Sequence, residues 1–206
     1  MLNETTCTFY SIYLKDIMSS FTGGKLTVGN FTVGKMKHLR QHMKILLLFI
    51  GIDQVIKIII WKFYFNDILT IIEGIFKFNP IINKKLSWGG NYISLLSNPF
   101  IIITINIIVI LFYITAYSYY RSEIEVKMVL VDVLFVTGLA GSICSLIDKI
   151  FWGGSLDYIQ FFNLFIFDLK DCYLTCSQLL IVYLGIKYNE HIKVRDYLKF
   201  CFYLKK

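Results

Sequence analysis

Proline, charge and histidine are all scarce in this chain. Only two prolines, Pro80 and Pro99, occur in 206 residues, so little interrupts long helices. Charged residues make up 17% of the sequence, where a soluble domain carries about 25%. Hydrophobic residues reach 56%, with a mean hydropathy of +0.62, which excludes an ordinary soluble domain and points to one membrane domain. The three histidines, His38, His42 and His191, are expected on the cytoplasmic side, opposite the carboxylate-rich stretch 148–171. That removes an HExxH zinc site and a Ser–His or Cys–His pair beside those carboxylates. Five cysteines (Cys7, Cys144, Cys172, Cys176 and Cys201) form no CxxC and show no metal-ligand spacing. Cys172 and Cys176, one helical turn apart, read as small residues packed inside a helix. No metal and no other cofactor is expected.

What the sequence does have is long apolar stretches. Four candidate spans are 43–62 (MKILLLFIGIDQVIKIIIWK), 99–118 (PFIIITINIIVILFYITAYS), 128–147 (MVLVDVLFVTGLAGSICSLI) and 172–187 (CYLTCSQLLIVYLGIK); a membrane helix needs about 20 mostly apolar residues. Asn98 before Pro99 marks a helix start, with proline at the first helical position. With four spans, the N-terminus, the 118–127 loop and the C-terminus share one side, which holds fourteen of the 21 basic residues. That side is expected to be cytoplasmic. The net charge of +7 then serves orientation and attraction to lipid surfaces, and nucleic acid is not an expected partner.

The fold expected is therefore a membrane all-α protein: four transmembrane helices with a small extracytoplasmic β-rich segment between helices 1 and 2. That segment, 63–97, is aromatic and β-branched, punctuated by Gly74, Pro80 and Gly89-Gly90. Residues 1–35 read as a cytoplasmic N-terminal extension or a mis-assigned start, because they lack a signal-peptide apolar region. Residues 36–190 form the membrane domain and 191–206 a basic cytoplasmic tail.

Ionisable residues inside apolar segments carry the functional signal. Asp53 and Lys57, four apart, share a helix face and can pair. Asp132 lies near the cytoplasmic end of the third span and reads as snorkelling. Asp148, Asp157, Asp168 and Asp171 crowd one short outer stretch around "YIQFFNLFIF", which is too apolar for a solvated loop. Carboxylates gathered beside lipid cannot all ionise, so one holds a proton while its neighbour stays charged. That split suits an aspartic hydrolase, in which one member takes a proton from water and the other polarises a carbonyl. Structural pairing and a proton relay through Asp53, Lys57 and Asp148 are the competing readings.

The order of these motifs resembles the signal peptidase II (lipoprotein signal peptidase) family. The family's Asp-Gln-x-x-Lys motif is matched by "DQVIK", with Asp53 and Lys57. Its Asn-x-Gly-x-x-Phe/Trp element is matched by "NKKLSWG", with Asn83 and Trp88 but Lys85 for the glycine. Its Gly-Asn-x-x-Asp-Arg motif is matched by "CSLIDK", which keeps Asp148 and carries Ser145 for the asparagine and Lys149 for the arginine. A catalytic aspartate follows at Asp157, and a Phe-Asn-x-Ala-Asp motif is matched by "FDLKD", ending at Asp171 with Asp168 for the asparagine. The resemblance implies an aspartic endopeptidase of the bacterial cytoplasmic (inner) membrane, multi-pass, with both termini cytoplasmic. It further implies a monomer whose partners are prolipoprotein substrates and membrane lipids. Asp157 and Asp171 are implied as the catalytic dyad that removes signal peptides from diacylglyceryl-modified prolipoproteins. Asp53, Lys57, Asn83, Trp88, Ser145, Asp148, Lys149 and Asp168 support that site. The departures leave an alternative: a catalytically impaired paralogue that binds lipopeptides or acts as an accessory protein.

Overall fold

The structure, a computed structural model, describes residues 32–84, 98–123, 128–188 and 194–203. It is mostly helical. Helix α1 (Thr32–Ile59) runs on into a π turn, Ile60–Tyr64. α2 (Pro99–Glu123), α3 (Met128–Ile147), α4 (Leu169–Lys187) and the short α5 (Val194–Tyr203) follow, and α3 also ends in a π turn, Asp148–Trp152. The α2 start is built as its sequence suggests: the Phe100 N–H donates to Asn98 Oδ1 at 3.0 Å and the Ile102 N–H to Asn98 O at 3.1 Å, with Pro99 needing no donor.

Among the described residues, three helical stretches, Pro99–Tyr120, Val129–Trp152 and Leu169–Lys187, are long and apolar enough to cross a membrane. α3 is the central one, since 72% of its apolar stretch is buried against 28% for α2 and 17% for α4. Its Leu134, Phe135, Leu139 and Ala140 pack with Leu46 of α1, Tyr113 and Tyr117 of α2 and Leu184 of α4. Outward-facing Leu47, Val55, Ile108, Leu179 and Ile186 are exposed, the apolar perimeter of a protein whose surroundings are lipid.

The sheet departs from expectation in its origin. Four antiparallel strands lie in the order β1-β2-β3-β4. β1 (Leu69–Ile72) and β2 (Phe76–Asn83) come from the segment between α1 and α2, but β3 (Ser155–Phe161) and β4 (Phe165–Phe167) come from between α3 and α4. The apolar run "YIQFFNLFIF" is thus a hairpin, with alternation hidden because both strand faces are apolar or half-buried. Pro80 sits where the β2–β3 register shifts, between Phe78 and Ile81, a place where a missing N–H costs no ladder bond. Gly153, at φ 65°, takes the left-handed conformation that turns the chain out of α3 and into β3.

Within the C-terminal tail lies α5, whose Tyr197 and Phe200 rings pack on Tyr119 of α2. Two smaller expectations change. Cys172 and Cys176 are exposed rather than packed inside. Asp132 does not snorkel: it is buried, takes a 2.9 Å hydrogen bond from Tyr117 Oη, and lies 3.4 Å from His42 Nε2.

Candidate active site

The cluster forms where the ends of α1 and α3, strand β3 and the start of α4 converge. On α1, Asp53 and Lys57 sit one turn apart and pair at 2.9 Å. Lys57 Nζ also reaches Asp148 Oδ2 at 2.6 Å and Asp168 Oδ2 at 2.7 Å, with its side chain fully buried. One ammonium among three carboxylates is stable there because each donor finds an acceptor. Gln54 donates to Asp53 and Asp148 at 3.1 and 3.3 Å and accepts from Trp152 Nε1 at 3.2 Å, so the α1 motif clasps the π turn.

β3 contributes two side chains through its period of two. Ser155 and Asp157 share one face, while Leu156 and Tyr158 pack with Ile60 on the other. Because Asn83 pairs with Ser155 in the β2–β3 register, its side chain lies diagonal to Asp157 and donates to Oδ2 at 3.1 Å. Ser155 Oγ donates to Asp157 Oδ1 at 2.7 Å. Lys149 Nζ bonds the Asn83 carbonyl at 3.2 Å, which ties the π turn to β2.

Helix α4 begins with a capping box. Asp168 is the N-cap: the Asp171 N–H donates to Asp168 Oδ1, and the Asp168 N–H donates back to Asp171 Oδ2, both at 3.2 Å. This is the carboxylate version of the reciprocal cap, and it aims Asp171 back toward β3. Carboxylate oxygens of Asp157, Asp168 and Asp171 come within 4.8 Å of one another. Asp157 is 3% exposed, whereas the Asp171 side chain is 39% exposed, so the pair has one buried and one open member.

Lys170 escaped the sequence reading. Its side chain is only 5% exposed, and its Nζ lies 2.7 Å from Asp168 and 3.6 Å from each of Asp148, Asp157 and Asp171. It donates to Ser155 Oγ at 2.5 Å, and its backbone N–H donates to Asp53 at 3.2 Å. The available signal was the motif itself, because Lys170 stands where "Phe-Asn-x-Ala-Asp" has alanine. The three-carboxylate group has the spacing a divalent cation accepts, yet Lys170 already places a positive charge among its oxygens.

Burial pushes Asp157 above the ordinary carboxylate range, with Asp168 adding to it and Lys170, Ser155 and Asn83 pulling back. Burial acts on Asp168 too, but the Lys170 and Lys57 ammonium groups outweigh it and hold that carboxyl below its usual value. The site thus keeps Asp168 charged and leaves Asp157 inclined to take a proton.

Of the ten residues expected here, Asp53, Lys57, Asn83, Asp148, Lys149, Asp157, Asp168 and Asp171 come together. Ser145 is buried in α3, three residues before Asp148. Trp88 and Lys85 lie outside the described residues.

Residues 45–187 match the family described as signal peptidase (SPase) II, more than two thirds of the chain. Two solved structures share the fold, each described as a bacterial membrane enzyme structure obtained by the in meso method. One, at 2.3 Å, has a TM-score of 0.60 and 22% identity over 75% of this chain and 92% of that chain. The other, at 1.9 Å, has a TM-score of 0.56 and 22% identity, covering 71% of this chain and 93% of that one. No curated protein matches by sequence.

Proposed function

Because the chain belongs to the signal peptidase II family of aspartic membrane peptidases, we propose that it removes signal peptides from diacylglyceryl-modified prolipoproteins, cutting before the lipidated cysteine. The observation that carries this reading is the approach of Asp157 and Asp171, from two separate elements, at the sheet end of the helices. The pair shares one proton, since two carboxylates this close do not both ionise readily. Its ionised member takes a proton from water, and the hydroxide attacks the scissile carbonyl carbon. Its protonated member donates a hydrogen bond to the carbonyl oxygen, and the departing amine leaves with the proton taken from water. No metal enters this scheme.

In this reading α1 is a fourth span and the chain a monomeric inner-membrane enzyme with both termini cytoplasmic. Residues 36–190 are its catalytic domain, 1–35 a cytoplasmic N-terminal extension and 191–206 a basic cytoplasmic tail. Asp53, Lys57, Asn83, Trp88, Ser145, Asp148, Lys149 and Asp168 support the dyad rather than react. Expression in cells depleted of their own signal peptidase II tests the function: prolipoprotein processing should return. Asp157→Asn and Asp171→Asn should each abolish it at normal membrane levels. The double variant should be no worse, because residues acting as one unit are not additive. Asparagine keeps the size but cannot carry the proton or the charge. Lys170 beside the dyad favours one other reading, a lipopeptide-binding protein on this scaffold. Processing by the parent chain, lost in both single variants, would dispose of it.

A further inference from the structure

The two departures in "FDLKD" are coupled in space. Relative to the family motif, position 168 gains a negative charge and position 170 a positive one, and the two side chains meet at 2.7 Å. The pair is wedged into the dyad, with Lys170 Nζ at 3.6 Å from both Asp157 Oδ1 and Asp171 Oδ1. A base at Lys170 acting on Ser155 is disfavoured by the same geometry, because an ammonium among four carboxylates has every reason to keep its proton.

We propose that Lys170 is a positioning residue for the peptidase reaction, a fixed cation that, clamped by Asp168, sets the proton affinity of the Asp157–Asp171 pair. The proposal rests on the dyad reading above. The charged groups facing this site are Asp53 and Lys57 of α1, Asp148 and Lys149 of the π turn, Asp157 of β3, and Asp168 and Asp171 of α4. Tyr158, Cys172, Cys144 and Tyr173 are further titratable side chains at hand. Of the cations, Lys57 is turned toward Asp53, Asp148 and Asp168, while Lys149 bonds Asn83 O and also feels the charges of Asp157, Asp148 and Asp171. Lys170 makes an ion-pair contact with both members of the dyad, at 3.6 Å each. A positive charge at this distance lowers carboxylate proton affinity, so the ionised base persists to lower pH than the same pair would allow without it.

The test compares the full chain with Lys170→Met and with the charge-neutral Asp168→Asn/Lys170→Ala double variant, all in lipid nanodiscs. Processing of a diacylglyceryl-modified prolipoprotein is measured across pH, and an infrared titration follows carboxyl protonation. The acidic limb of kcat should rise by about 1–3 pH units in Lys170→Met, and by less in the double variant. The carboxyl titration should move in the same direction, with KM little changed. Acidic limbs and carboxyl titrations that coincide with the parent's in these variants would overturn the proposal. If Lys170→Met fails to accumulate, the double variant decides by itself. Asp157→Asn and Asp171→Asn run alongside: processing that survives in them removes the dyad reading, while the infrared shift still reports on Lys170.

Discussion

Lys57 makes the strongest residue-scale case that buried charge organises this site. Its ammonium serves Asp53, Asp148 and Asp168 at 2.6–2.9 Å with no exposure to solvent. Lys57→Met should cost about 3–5 kcal/mol, because removing one partner strands uncompensated charge. A melting temperature in detergent equal to the parent's would refute that. Asp168→Asn looks from the family motif like a restoration. The geometry argues otherwise, since an amide can cap α4 but leaves the Lys57 and Lys170 ammonium groups short of a counter-ion. The single variant should therefore lose membrane level and processing, and adding Lys170→Ala should recover both. The Asp53–Lys57 pairing was legible because i,i+4 spacing fixes it within one helix. Lys170 was not, since a lysine in the first turn of a helix reads as a solvated charge. Its burial comes from β3 and α1 closing over it, which no local pattern encodes.

Elements explain why the helices were easier to read than the sheet. α2 and α3 follow from unbroken apolar length and, for α2, the Asn98-Pro99 start, whereas β3 and β4 hide in an apolar run whose period of two is masked by aromatics. The pairing of β3 with β2 spans 72 to 85 residues, from Asn83↔Ser155 to Phe76↔Phe161, and so depends on the helices coming together first. The packing of those helices relies on close approach. A Cβ on Gly138 would lie 2.2 Å from the Tyr113 ring, and that ring is held by a 2.7 Å hydrogen bond between Tyr113 Oη and Ser177 Oγ. One on Gly141 would lie 2.7 Å from Leu174 Cγ and 3.1 Å from the Lys170 carbonyl. Small residues at such crossings let membrane helices touch. Gly138→Ala should destabilise by about 1–3 kcal/mol through overpacking, read as a lower unfolding temperature. A variant that melts with the parent would show that Tyr113 has room to move.

The whole molecule turns on whether α1 crosses the membrane, because its charges keep it apart from the three clearly apolar spans. Asp53 and Lys57 are 1% and 0% exposed, while Leu47, Leu48, Ile52, Val55 and Ile58 face outward. Charge in a span is costly when it faces lipid and tolerable when it is turned into the bundle and paired. In the four-span reading proposed above, α1 shows lipid an apolar surface despite its composition and makes the number of crossings even. Four crossings would put the termini and the α2–α3 connection on one side, with the sheet and the aspartates on the other. On that reading the excess of lysine and arginine makes the first side the cytoplasmic one. Reporter fusions after residue 120 and at the C-terminus should be active in the cytoplasm, and one placed between residues 84 and 98 should be active outside. Lys57→Met tests the cause: with its counter-ion gone, Asp53 is left with hydrogen bonds such as those from Gln54 and the Lys170 N–H, and the fraction of chains carrying the 84–98 reporter outside should fall. A C-terminal reporter found outside would leave α1 lying on the membrane surface, and the aspartates would then face the cytoplasm, away from exported substrates.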